Sequence, residues 1–112
     1  MTAYRGRYNI SMYIDMNKHC LEKNLDVLAG QIRVLGEPTR LKITCLLTAG
    51  PLCVCEIFER LGLPQNLVSH HLKTLLDAGI VSNQRDGKKI IYALNQEKMR
   101  NLQTELKNIL PL

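Results

Sequence analysis

Cysteine occurs four times in this sequence, as Cys20, Cys45, Cys53 and Cys55, the last two separated by a single valine. Thiolates bind soft metal ions and change oxidation state, while a buried thiol behaves as a small apolar group. All three uses are open for these four residues. A second reactive surface lies in residues 63–76, LPQNLVSHHLKTLL. Read at helical period, Asn66, Ser69, His70 and Lys73 fall on one side at i, i+3, i+4 and i+7. That side carries amide, hydroxyl, imidazole and ammonium groups and no carboxylate. It suits a nucleic-acid groove, and it equally suits a plain solvated helix. Arg85, Lys88 and Lys89 form a third, cationic group around Asp86-Gly87. No nucleophile–base pair, phosphate-cradling glycine loop or pair of carboxylates is present, so the chain is not expected to be an enzyme.

The elements that must position these groups follow from composition and period. With 112 residues the chain can hold one domain around a modest core. An apolar share of 46% argues against disorder, and the absence of Trp with a single Phe leaves the core to Leu, Ile and Val. The net charge of +5 favours a polyanionic partner, nucleic acid or a membrane surface. No apolar run approaches the roughly 18–20 residues of a membrane span. The first twenty residues lack the apolar centre of a secretory signal, so a cytoplasmic location is expected. Thiols stay reduced there, which points to packing, metal or redox roles for the cysteines and away from a disulfide framework.

Along the chain, residues 1–20 read as a basic N-terminal arm without a clean period, and residues 21–112 as the folded domain. Leu21, Leu25, Leu28, Ile32 and Leu35 form a narrow helical seam of the kind that pairs helices. Gly36 ends it, and Glu37-Pro38 opens a second helix whose Leu41, Cys45, Leu46 and Leu47 are expected to face inward. A short helix is expected over residues 52–63, then a tight Gly62-Leu63-Pro64 turn, then the helix of residues 63–76 with Val68, Leu72, Leu75 and Leu76 inward and Gly79 as its cap. The period then becomes that of strands. Residues 80–84 and 89–95 flank Arg85-Asp86-Gly87-Lys88, an Asp-Gly hairpin signal. Met99, Leu102, Leu106 and Ile109 make a second seam, and Pro111 closes the chain. The order is that of a winged helix-turn-helix: mainly α, with a β-hairpin wing. The two terminal seams are expected to pair copies of the chain in a twofold dimer, which sets two recognition helices about 34 Å apart, one turn of DNA.

Four segments in order resemble the ArsR/SmtB family of metalloregulators: Gly36-Glu37-Pro38-Thr39-Arg40, Leu52-Cys53-Val54-Cys55-Glu56, Val68-Ser69-His70-His71-Leu72 with Leu75, and Arg85-x-Gly87-Lys88 followed by Tyr92-x-Leu94. The resemblance runs from about Leu35 to Leu94. It implies a dimeric winged-helix repressor that leaves its operator DNA when a metal ion binds. Ahead of Val68 the family often has Ser-Gln-Pro-Thr where this chain has Pro64-Gln65-Asn66-Leu67, so a different base sequence is expected to be read.

Within that frame Gln65, Asn66, Ser69 and His70 are the expected base-reading groups, since Gln and Asn can bridge adenine and Ser and His can donate to bases or phosphates. Lys73, Arg85, Lys88 and Lys89 would bind phosphate. Thr39 and Arg40 could serve either purpose, with an intramolecular ion pair the competing use of Arg40; His71, beside the apolar stripe, is assigned to packing or an internal hydrogen bond. The resemblance makes Cys53-Val54-Cys55 the effector site, where a helix N-terminus favours thiolates and thiolates favour As/Sb, Cd/Pb, Zn or Cu. Residues i and i+2 diverge on a regular helix, so joint ligation requires a distorted first turn. The arsenic-type site needs a third cysteine where this chain has Phe58. The cadmium- and lead-type site draws extra cysteines from the N-terminal arm, which makes Cys20 and His19 the candidates to complete the metal set. Cys45 is expected in the core. The family's zinc site on the last helix is excluded, because that helix has no histidine and places Gln96 and Lys98 at the ligand positions. Two competing readings are a repressor that senses oxidation of Cys53 or Cys55, and a winged-helix DNA binder with no metal response.

Overall fold

A helix of ten residues, α1 (Asp26–Leu35), opens the part of the chain that the computed structural model describes, residues 25–110. The arm, Leu21 and Pro111 lie outside those residues. Asp26 in the first turn of α1 and Arg33 in the last complement the helix dipole. Only Leu28 of its seam is buried; Ile32 is 42% exposed and Val27 61%. Helix α2 (Pro38–Leu47) follows at once, with Pro38 in the first turn and the Glu37 carboxylate accepting the Arg40 amide at 2.9 Å. The Arg40 guanidinium turns back: its Nε donates to the Val34 carbonyl at 2.6 Å, supplying one of the carbonyls left open at the end of α1.

The inward face of α2 differs from the expected one. Ile43, Thr44 and Leu47 are buried, while Leu41 is 55% exposed and Cys45 is an exposed free thiol. Apolar residues are spread around this helix between Thr39, Arg40, Lys42 and Thr44, so period alone selects no single face. Contact with the recognition helix and the wing makes the selection, and Cys45 is not a core residue.

The next departure is a strand where a helix was expected. Leu52–Cys53 form β1, which pairs antiparallel with the wing, Leu52 opposite Tyr92 and Cys53 opposite Ile91. The helix α3 (Val54–Leu61) starts only after Cys53. Gly62, at φ 65°, ends α3, and Pro64 begins α4 (Gln65–Asp77). At the far end of α4, Gly79 (φ 75°) lets the Ile80 amide reach the Leu75 carbonyl at 3.0 Å and its own amide reach that of Leu76, also at 3.0 Å. This is a Schellman closure, and its two anchors, Leu75 and Ile80, are both fully buried.

The wing consists of β2 (Val81–Asp86) and β3 (Lys89–Leu94), in a sheet of order β1-β3-β2. Asp86 pairs with Lys89, so the turn is Gly87-Lys88, one residue later than an Asp-Gly turn would place it. Gly87 has φ 62° and among the described residues no non-glycine residue has positive φ, the sign pattern of a type II′ turn with glycine first. Asn95 caps α5 (Gln96–Ile109), accepting the Lys98 amide at 3.2 Å, and donates to the Gly79 carbonyl at 3.1 Å. One core cluster joins Ile43 and Leu47 of α2, Ile57 of α3, Val68, Leu72 and Leu75 of α4, and Ile80 and Val81 at the wing's root. The architecture is a winged helix-turn-helix, as the order of elements implied.

Candidate nucleic-acid interface and thiol site

Helix α4 is divided as its period predicts. Val68, His71, Leu72 and Leu75 are buried, and Gln65, Asn66, Ser69, His70 and Lys73 are all exposed. Packing of one face against α2 and α3 thus holds the polar face outward along the length of the helix. No side chain caps the N-terminus of α4, because Pro64 occupies the cap position. Arg85, Lys88 and Lys89 are exposed at the wing's end. Thr39 and Arg40 are partly buried in the first turn of α2, with Arg40 engaged on the Val34 carbonyl and not in an ion pair. Leu67, 39% exposed, is an apolar group among the polar ones of α4 that spacing did not single out.

Cys53 and Cys55 are bonded to each other, with Cα atoms 5.3 Å apart, where reduced thiols were expected. The supposed need for a distorted helix disappears as well. Cys53 is the N-cap of α3 in extended conformation (φ −75°, ψ 158°), outside the helix, and from there its sulfur can turn toward Cys55 in the first turn. The Cys53 sulfur also accepts the Glu56 amide at 3.3 Å, and Glu56 Oε1 accepts the Cys53 amide at 3.2 Å, a reciprocal cap. Cys53 is fully buried; Cys55 is partly exposed.

When reduced, this pair would present two sulfurs from one turn, a donor set suited to a soft ion. Among the described residues no cluster of three or more His, Cys, Asp or Glu could hold a metal. Cys20 and His19 lie outside those residues. Phe58, at the position where the arsenic-type site has its third thiol, instead lines a cleft of about 280 Å³ together with Cys53 and Cys55. Gln65 of α4 and Lys88 and Lys89 of the wing form the other walls, with Val54 and Ile90 completing the lining. The sulfur pair and two of the candidate DNA-facing elements therefore share one cavity. No local sequence signal announces this, because Lys88 and Lys89 lie more than thirty residues after Cys53 and Cys55 in the chain.

A second link, missed in the sequence, joins α2 to α4. His71 Nδ1 is buried without a hydrogen-bond partner, and its nearest acid is Glu37, with Oε2 at 3.6 Å. The Glu37 carboxyl is held below its ordinary value of 4.5 by the Arg40 amide first, then the Thr39 amide and the nearby His71 and Arg40, against an opposing desolvation. A depressed carboxyl adds stability that is complete above the unfolded value and fades as pH falls through the folded one. The stability that the parent holds over Glu37→Gln should thus shrink as pH falls below about 4.5. Urea unfolding at several pH values below 4.5 checks it; a difference that fails to shrink there would rule the account out.

Comparison with known proteins agrees with this geometry. The family described as "Bacterial regulatory protein, arsR family" matches residues 37–83, which run from the cap of α2 into β2. The chain is 41% identical over 66 residues to an arsenical resistance operon repressor of Staphylococcus xylosus, covering 59% of this chain and 64% of that protein. It is 32% identical over 94 residues to a biofilm growth-associated repressor of Xylella fastidiosa, covering 84% and 82%. Among solved structures, the homodimeric winged helix-turn-helix DNA-binding domain of a possible ArsR-family regulator from Mycobacterium bovis superimposes with a TM-score of 0.65 at 27% identity, covering 82% of each chain. The chain spans just under two thirds of the length of the staphylococcal arsenical repressors it matches, 64% and 62%. Among the described residues no helix is long and apolar enough to cross a membrane.

Proposed function

Because the chain belongs to the ArsR family of bacterial regulatory proteins, we propose that it is a cytoplasmic, dimeric repressor of operator DNA whose affinity is set by the chemical state of Cys53 and Cys55. The observation that carries this reading is the cleft that Cys53 and Cys55 share with Gln65, Lys88 and Lys89. Gln65, Asn66, Ser69 and His70 read base edges in the major groove. Lys73, Arg85, Lys88 and Lys89 hold phosphates, with Thr39 and, through the guanidinium nitrogens not bound to Val34, Arg40 as further contacts. Copies of the chain pair through the terminal helices, where Val27 and Ile32 of α1 are apolar and uncovered.

The effector is a soft metal or metalloid ion captured by the reduced pair, in line with the arsenical resistance named for two relatives. Cys20 and His19 of the arm would supply the remaining ligands. The second reading, oxidation itself as the signal, is favoured by the Cys53–Cys55 bond. In a reducing compartment a disulfide is a transient, regulatory state rather than a structural brace.

Footprinting of the upstream promoter with reduced protein, then with arsenite, Cd(II), Pb(II) or peroxide, separates the two. Changing Cys53 and Cys55 together to Ser should leave DNA affinity within about twofold and abolish release by every agent, since Ser keeps the N-cap role. Release by metal that survives the double change places the effector site elsewhere. Absence of DNA binding at low salt removes the whole reading.

A further inference from the structure

The cleft has a chemistry of its own beyond holding a metal ion. It is lined by Cys53 and Cys55, which are bonded to each other, and among the described residues Lys88 and Lys89 are the only charged ones on its walls. Glu56, the acid on the same turn, has an oxygen committed to the Cys53 amide. A small thiol entering from solvent meets the partly exposed Cys55 before the fully buried Cys53.

From these features we infer that the cleft is a reaction site for small anionic thiols, those carrying a carboxylate, which exchange with the disulfide at Cys55. The thiolate attacks Cys55 Sγ, a new S–S bond forms between thiol and Cys55, and the Cys53–Cys55 bond breaks with its electron pair going to Cys53. This first step is a disulfide exchange with no net redox change, and over both steps the small thiol is itself the two-electron reductant. The leaving thiolate is received where it is best held: the Glu56 amide already points at Cys53 Sγ from 3.3 Å, at the first turn of α3. A second thiolate attacking the incoming sulfur releases the oxidised small molecule and leaves Cys53 and Cys55 as a dithiol. The carboxylate of the adduct would lie against Lys88 and Lys89, so the adduct and a DNA phosphate compete for the same ammonium groups. This inference rests on the thiol-controlled reading above and adds to it the class of molecule that resets the pair.

The test uses the full oxidised chain without DNA, carrying Cys20→Ser and Cys45→Ser so that Cys53 and Cys55 are its only cysteines. Disulfide opening is followed with 3-mercaptopropionate, 2-mercaptoethanol and cysteamine, which are anionic, neutral and cationic. Each rate is divided by that thiol's rate on the neutral 2-hydroxyethyl disulfide, and the released Cys53 is trapped with iodoacetamide and located by fragmentation mass spectrometry. At low ionic strength the anionic probe should be favoured over the cationic one by about tenfold or more, an advantage lost in high salt. It should also be lost in Lys88→Gln/Lys89→Gln, whose exposed turn leaves the fold intact. The probe should be found on Cys55 and the alkyl group on Cys53. Equal normalised rates, a preference unchanged by the lysine substitutions, or an adduct on Cys53 overturns the inference. Because no DNA is present, that outcome is distinct from a failure of thiol control over operator binding, which only the footprinting detects.

Discussion

Alanine at Arg85, Lys88 and Lys89 together should leave the chain folded and flatten the salt dependence of its operator binding. Leaving aside Arg40, whose guanidinium is already bonded to the Val34 carbonyl, each protomer of the proposed complex places four cations on phosphate, these three and Lys73, so a dimer places about eight, and each contributes roughly 0.9 to the slope of log affinity against log salt. The parent should therefore lose about four orders of magnitude between 50 and 200 mM salt, while the triple variant, with about two contacts left, should lose only about tenfold. Fluorescence anisotropy with operator duplex at several salt concentrations reads both slopes. Preference for operator over scrambled duplex should change little, because phosphate contacts position the protein without reading bases. The three side chains are exposed on the wing, so unfolding temperatures should agree closely. A variant that keeps the parental slope would place the wing off the DNA.

Leu72→Ala should cost about 3 kcal/mol, within the 2–5 kcal/mol seen when a fully buried Leu becomes Ala. Leu72 has no exposed surface and sits in the cluster that joins α2, α3, α4 and the root of the wing. Against a total stability on the order of 5–15 kcal/mol this is a large share, and it corresponds to a fall of about 12–24 °C in melting temperature. DNA affinity should fall with it, since Leu72 helps hold the helix whose opposite face carries Asn66, Ser69 and His70. Leu67→Ala is the matched control. Leu67 lies on the same helix, is 39% exposed and should change stability by no more than about 0.5 kcal/mol. Both are measured by urea unfolding at one fixed protein concentration, because dimerisation would make stability depend on it. A loss below about 1 kcal/mol at Leu72 would mean that α4 is held by something other than this cluster.

The division of α4 was legible in residues 63–76 because it needs only the helical period. Val68, Leu72 and Leu75 recur on one side, Asn66, Ser69, His70 and Lys73 on the other, and burial follows that split. Gly62 and Gly79 likewise mark their helix ends, since the positive φ required there favours glycine over any residue with a Cβ. The order of helices and the presence of a basic hairpin are local properties of the same kind.

Other features could be decided only by the folded chain. The sequence does not single out the inward face of α2, at Leu41 and Cys45 above all, because its apolar and polar residues are interspersed around the helix without one stripe; Ile43 and Leu47 face inward because α4 and β3 lie there. The hairpin turn moved to Gly87-Lys88 because register is set by the pairing of whole strands, from Val81 with Leu94 to Asp86 with Lys89, and not by the most turn-prone dipeptide. Strand β1 is two residues long, too short for any period, and exists only because Tyr92 and Ile91 lie opposite Leu52 and Cys53. That pairing holds Cys53 extended ahead of α3, where its sulfur can meet Cys55. By itself the sequence determined that two thiols precede a helix, residues 63–76, with one apolar face and one polar face free of carboxylates. Tertiary structure decided that they face each other, and that Gln65, Lys88 and Lys89 close the cleft around them, because contacts between distant segments leave no mark on local spacing.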